Sequence, residues 1–167
     1  MKKIILPLLL LPLALAVQAK SPIQNNEPRQ TVSDLKEQQQ QQLEQQNKKI
    51  VTDFYEGVFL KHQVKEYADR YIGNQYIQHN PYVPDGKAPF VNYFTEYFKS
   101  NPDAKNEIKR SIAEGDLVVL HVHSTQNKQD RGEAIIDIFR VENGKITEHW
   151  DVVQNIPADS ANSNTMF

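Results

Sequence analysis

The feature that most constrains this chain is a change in the spacing of its apolar residues near the middle. Ile50, Phe54 and Val58 recur at every fourth position beside Val51, Tyr55 and Phe59, the stripe of a helix that buries one face. Two more helical stripes follow. One is Tyr67, Ala68, Tyr71 and Ile72 within residues 64–72, with Gly73-Asn74 as its stop; the other is Phe90, Phe94, Tyr97 and Phe98, ended by Asn101-Pro102. Past residue 105 the helical repeat gives way to short runs rich in β-branched and aromatic residues, the composition of strands. Strands are expected over residues 107–113, 117–125, 134–141 and 146–153, and a short one over 76–80 before a loop forced by Pro81, Pro84 and Asp85-Gly86. Helices segregated from a sheet define an α+β fold. The expectation is a curved, mostly antiparallel sheet packed on about three N-terminal helices, with a cone-shaped interior suited to a small ligand.

The N-terminus has a different logic. Lys2 and Lys3 precede an apolar run, residues 4–17, that is too short to span a bilayer, and Val17-Gln18-Ala19 supplies small residues where a signal peptidase reads. Residues 1–19 are therefore expected to be a signal peptide and the mature chain to be periplasmic. No other run approaches a spanning helix, so no membrane partner is expected after cleavage. Residues 20–47 read as a polar, glutamine-rich linker and helix extension. Ser33 and Asp34 offer N-cap oxygens, and Glu37 stands where a capping-box partner of Asp34 would be. Seven glutamines between residues 38 and 46 give helix propensity without a face to bury, which suits a solvated extension or a polar contact with a partner. Residues 48–157 form the expected domain and 158–167 a flexible tail. Removal of Lys2 and Lys3 leaves 17 of the 19 basic residues against 21 acidic ones, a formal charge of −4. That balance argues against nucleic acid as a partner, since phosphate-backbone binding needs a basic face.

The chemistry concentrates in the last two strands. Asp137 interrupts Ala134-Ile135-Ile136-Asp137-Ile138-Phe139, and a carboxylate among strand formers needs water, a partner or a pocket. Two hairpin registers are open. A two-residue turn at Asn143-Gly144 puts Asp137 opposite Trp150 and on the other side of the sheet from Asp151. A three-residue loop of Glu142, Asn143 and Gly144 instead pairs Asp137 with His149 and Ile135 with Asp151. In that register Asp137, His149 and Asp151 share one face, and Ile136, Ile138, Ile146 and Trp150 the other. The second register is preferred because it gathers the titratable groups, and a carboxylate beside a histidine is the usual apparatus of proton transfer. His121 and His123 share a face, as residues two apart on a strand do. A His-x-His pair can bind a metal, but no third ligand stands at a recognisable spacing, so none is expected. His79 sits at the end of the short strand, at the expected pocket mouth.

These residues together resemble a known group. Tyr76-Ile77-Gln78-His79-Asn80-Pro81, the Pro84-Asp85-Gly86-Lys87 turn with Phe90 after it, Gly115-Asp116-Leu117-Val118-Val119-Leu120-His121, and Asp137-Ile138-Phe139-Arg140-Val141-Glu142-Asn143-Gly144-Lys145-Ile146 leading to Glu148-His149-Trp150-Asp151 are similar to the SnoaL-like polyketide cyclases of the nuclear-transport-factor-two-like superfamily. The resemblance covers about residues 49–157. It implies a cone-shaped α+β barrel, often dimeric through the sheet, with a pocket for a hydrophobic or carbonyl-bearing ligand. It also implies that Asp151 matches the aspartate serving as acid/base in the cyclases, and that Asp137 stands where they carry a second polar pocket residue, often histidine.

The expected activity is acid/base catalysis on a carbonyl compound without cofactor or metal. Asp151 would be the base, Asp137 its modulator, and His121 and His149 the donors to a developing enolate. His79, His123, Tyr76, Phe94 and Phe139 are expected to bind the ligand. A homodimer through the outer sheet face is expected, because Trp150, Ile138 and Ile136 would otherwise be exposed. Two other readings stay open: a non-catalytic periplasmic binder of an apolar metabolite, and an interaction module built on the glutamine-rich helix.

Overall fold

The computed structural model describes residues 31–167. The expected signal peptide, residues 1–19, and the first part of the linker, residues 20–30, lie outside the described residues. The elements run α1 Val32–Phe59, α2 Val64–Tyr71, β1 Ile72–Gln78, α3 Lys87–Ser100, β2 Lys105–Glu114, β3 Leu117–Thr125, β4 Glu133–Glu142 and β5 Lys145–Asn155. The α+β architecture is as expected, with three helices and five strands among the described residues.

Helix α1 begins earlier than its sequence signals suggest. The cap is Thr31, not Ser33 or Asp34. Its hydroxyl accepts from the Asp34 N–H at 3.1 Å, while the Asp34 carboxylate accepts from the Thr31 N–H at 2.8 Å, which satisfies two of the orphan donors of the first turn. Residues 32–42 face solvent, consistent with their lack of an apolar face. The helix meets the sheet at Glu44 and Asn47. The Glu44 carboxylate accepts from the Gly115 N–H at 3.0 Å and the Asn47 amide donates to the Gly115 carbonyl at 3.1 Å, so both backbone groups of the β2–β3 turn end on α1. From there Val51, Phe54, Tyr55, Val58 and Phe59 bury the expected stripe. Gly73 and Asn74 do not stop α2 in a loop; the chain turns directly into β1, which contains both.

The strand order is β1-β5-β4-β3-β2, with β1 parallel to β5 and the other pairs antiparallel. Among the described residues strands β1 and β2 are edges, so the sheet is not closed into a barrel. Phe54, Tyr55, Phe139, Ile72, Leu120 and Ile146 are the largest wholly buried side chains between the helices and the sheet. Each contributes about 1.5–3 kcal/mol by burial.

The β4–β5 hairpin follows neither expected register. Glu142 stands opposite Lys145, so Asn143 and Gly144 alone form the turn, at φ 50° and 76°, the signs a type I′ turn requires. Val141 then pairs with Ile146, but Arg140 pairs with Glu148, leaving Thr147 as the extra residue of a β-bulge. Beyond it Phe139 pairs with His149 and Asp137 with Asp151. The turn is thus that of the first register, and the shared face of Asp137, His149 and Asp151 is that of the second. Ile146, expected on the outer face, is fully buried, because the bulge reverses the alternation between it and His149. Residues 158–167 carry no regular element, and the Phe167 ring rests 5.2 Å from that of His121 and 4.6 Å from that of His123.

Candidate functional site

A cavity of about 110 Å3 lies between the inner sheet face and the helices. Its apolar wall is Phe54, Phe59, Val83, Phe90, Phe94, Ile135 and Phe139, and its polar lining is Tyr55, Tyr76, Gln78, Asp137, His149 and Asp151. Alternation along two strands and the bulge between Ile146 and His149 deliver the titratable groups. Helix α1 adds Tyr55 from its buried stripe, and β1 adds Tyr76 and Gln78, two residues apart.

Asp137 is 5% exposed and His149 7%. The Tyr55 hydroxyl donates to Asp137 Oδ2 at 2.7 Å, and His149 Nε2 lies 2.9 Å from Asp137 Oδ1. The Asn106 amide donates in turn to the Tyr55 oxygen at 3.1 Å. On its other side His149 Nδ1 is 2.9 Å from Gln78 Oε1. Both ring nitrogens therefore face oxygen atoms; an imidazolium donates to both and a neutral ring to one. Burial, reinforced by the neighbouring Asp137 charge, pushes the Tyr55 phenol well above its ordinary range. Tyr76 moves the same way, by burial first and then by the Asp137 and Asp151 charges.

Asp151 is held differently. The Asn80 side-chain amide donates to both its oxygens, at 2.8 and 2.9 Å, and the Asn80 Oδ1 accepts from the Tyr82 N–H at 2.9 Å. The loop after β1 is thereby tied over the cavity, with the Asp85 carboxylate accepting from the Gln78 N–H and the Tyr76 carbonyl from the Gly86 N–H, each at 2.8 Å. Like charges directly opposite on neighbouring strands destabilise a sheet. Asp137 and Asp151 stand in that relation, each compensated by its own donors. Asp137, His149 and Asp151 also offer ligand atoms within 4.8 Å of one another, a set that could hold a metal ion. An ion there would displace the His149–Asp137 and Asn80–Asp151 hydrogen bonds that now use those atoms.

Six expected site residues thus line one cavity: Asp137, His149, Asp151, Tyr76, Phe94 and Phe139. Three do not. His121 and His123 pair with Ile136 and Ala134 on the outer sheet face, because Leu120 and Val122 take the inner one, with Leu120 opposite Asp137. His121 Nδ1 accepts from Arg110 Nη1 at 2.9 Å, and His123 Nε2 lies 2.8 Å from the Arg131 carbonyl. His79, next to the inward Gln78, also turns outward; it stacks on Trp150 at 4.5 Å and meets Glu148 Oε1 at 2.8 Å. Tyr55, Gln78, Asn80 and Asn106 were not expected. Gln78 was within reach of the sequence, since Tyr76 and Gln78 must share a face of one strand. Nothing local marks Tyr55 apart from its stripe or Asn106 apart from its strand.

The profile of the family described as SnoaL-like polyketide cyclase matches residues 49–160. Among solved structures, a provisionally assigned polyketide cyclase from Acidithiobacillus ferrooxidans is 22% identical, with a TM-score of 0.54 over 65% of this chain and 87% of that one. A provisionally assigned polyketide cyclase from Bacillus cereus, also 22% identical, gives 0.55 over 65% and 74%. A provisionally assigned ketosteroid isomerase from Kribbella flavida, 14% identical, gives 0.55 over 71% and 84%. No curated protein matches the sequence. These structures share the fold; the profile, which spans more than half of the chain, shows that this protein belongs to the SnoaL-like polyketide cyclase family.

Proposed function

We propose that the cavity performs cofactor-independent acid/base chemistry on a carbonyl compound, with Asp151 as the base. What carries this reading is the unequal use of the two paired aspartates. Asp137 spends one oxygen on Tyr55 and the other on His149, which makes it a buried anchor. Among the described residues Asp151 takes only the Asn80 amide, and it keeps lone pairs at the cavity wall. In the proposed step a proton leaves the carbon beside the carbonyl for an Asp151 oxygen, the C–H electron pair becomes the enolate double bond, and the carbonyl oxygen takes the charge. Return of the proton, or attack by the enolate on a second carbonyl, completes an isomerisation or an aldol-type closure.

The test is exchange of α-hydrogens for deuterium in a graded panel of ketones, followed by NMR. Wild-type protein should catalyse exchange for at least one of them, and Asp151→Asn should slow it about 100-fold or more, the usual contribution of a positioned base. Exchange within threefold of wild type, a loss of under ~1 kcal/mol, removes Asp151 as base and favours the non-catalytic binder.

The reading extends to an exported homodimer. The mature N-terminus would be Lys20, and an intact mass retaining Met1 in periplasmic protein would refute export. The outer sheet face exposes Ile112 and Val152 at 62% and 70%, together with Ile136, which supports pairing through it, while Trp150 and Ile138 on the same face are half-buried. Sedimentation as a monomer at micromolar concentration would exclude the dimer.

A further inference from the structure

An enolate needs a hydrogen-bond donor at the oxygen that takes the charge. The polar groups of the cavity can be followed to see which still has a proton to give. The Tyr55 proton is spent on Asp137, both ring nitrogens of His149 are engaged by Asp137 and Gln78, and the Asn80 amide is spent on Asp151. Gln78 passes the chain on, its amide nitrogen facing the Tyr76 oxygen at 3.5 Å. There the chain stops. The Tyr76 side chain is 3% exposed and lines the cavity, and among the described residues its hydroxyl proton meets no acceptor. A buried tyrosine hydroxyl ordinarily finds a partner.

Size and charge narrow what that partner is. A dry engineered cavity of about 150 Å3 holds benzene, so a space of about 110 Å3 takes roughly four to six non-hydrogen atoms. Among the described residues no lysine or arginine lines it, while two aspartates do, so an anionic ligand would enter against like charge.

We propose that the cavity binds a small, neutral carbonyl compound, the size of a five-membered cyclic ketone, whose oxygen accepts from the Tyr76 hydroxyl. This rests on the acid/base reading of the same site and adds the class of substrate and the group that holds its oxygen. Tyr76 donates a hydrogen bond that shortens as charge builds on the oxygen. The wall of Phe54, Phe90 and Phe94 sets the size limit.

The experiment uses cyclopentanone labelled with 13C at the carbonyl, anionic levulinate, and the tricyclic ketone anthrone, each titrated into the full mature chain. Cyclopentanone should bind, with its carbonyl resonance moved downfield as expected for a hydrogen-bonded oxygen. Tyr76→Phe keeps the ring that packs 6.0 Å from Phe90. It should weaken cyclopentanone about tenfold and abolish the downfield shift. Levulinate and anthrone should not bind wild type, and Phe94→Ala, which opens the wall, should admit anthrone. Cyclopentanone binding equally to Tyr76→Phe with an unchanged carbonyl resonance overturns the anchor. Anthrone or levulinate binding wild type as tightly as cyclopentanone overturns the size or the charge limit. The underlying reading fails separately: Tyr76-dependent binding with deuterium exchange unaffected by Asp151→Asn would keep the ligand class and discard the base.

Discussion

Tyr55→Phe is the change that tests the polar architecture beneath the cavity. It deletes one oxygen and leaves the ring, which packs 4.4 Å from Phe59 and 6.2 Å from Phe139, in place. Two hydrogen bonds go with it: the 2.7 Å donation to Asp137 and the 3.1 Å acceptance from Asn106. Asn106 is half-buried and can turn to water, so its loss is small. Asp137 is 5% exposed and keeps only His149, so an acceptor oxygen of a buried carboxylate is left unpaired. A hydrogen bond to a charged group is worth about 1.5–3 kcal/mol, and the expected loss of stability is about 2–3 kcal/mol. Urea unfolding should show it as a midpoint lower by roughly 1–2 M at unchanged slope. A cycle with Asp137→Asn should give a coupling of about 1 kcal/mol or more, because the two groups act on each other directly. A loss under about 0.5 kcal/mol, or no coupling, would mean that Asp137 does not depend on the phenol and that the anchor role assigned to it is wrong.

Three further outcomes follow from particular contacts. A Cβ on Gly57 would lie 2.0 Å from the Tyr67 ring, so Gly57→Ala should destabilise by about 1–2 kcal/mol despite its better helix propensity; in a Tyr67→Ala background the same change should stabilise by about 0.5–1 kcal/mol in the same urea assay. Tyr55 and Tyr76 are both raised above the ordinary tyrosine value of 10.0, so above about pH 10 the folded chain holds protons that the unfolded chain has lost. Stability should then fall with rising pH by about 1.4 kcal/mol per unit for each phenol, and ultraviolet titration should show these two of the seven tyrosines ionising only with unfolding. Among the described residues the buried Thr147 hydroxyl in the bulge has no partner, so Thr147→Val should be neutral or stabilising by up to about 1 kcal/mol in thermal unfolding.

The periodicities that the side chains impose were readable residue by residue. Apolar repeats of four placed α1, α2 and α3, β-branched runs placed β2 to β5, and Asn143-Gly144 marked the turn, because these signals come from neighbours in sequence. The same locality let a strand segment be read as one unit, so that Asp137 and Phe139 share a face, as do Tyr76 and Gln78. What local signals could not supply was a count across the hairpin. One unpaired residue, Thr147, decides whether Ile146 and His149 face the same way, and a bulge depends on how the two strands twist together. Nor could the sequence say which side of β3 faces the helices, since His121 and His123 alternate with Leu120 and Val122 and either set forms a good strand. The packing of Leu120 and Val122 beneath α1 turned the histidines outward, because burying apolar area gains free energy and burying two imidazoles costs it. The approach of Tyr55 to Asp137, 82 positions along the chain, likewise exists only once helix and sheet have packed. Which groups are titratable was written in the sequence; which of them meet was decided by register and packing, whose energies belong to pairs of distant residues.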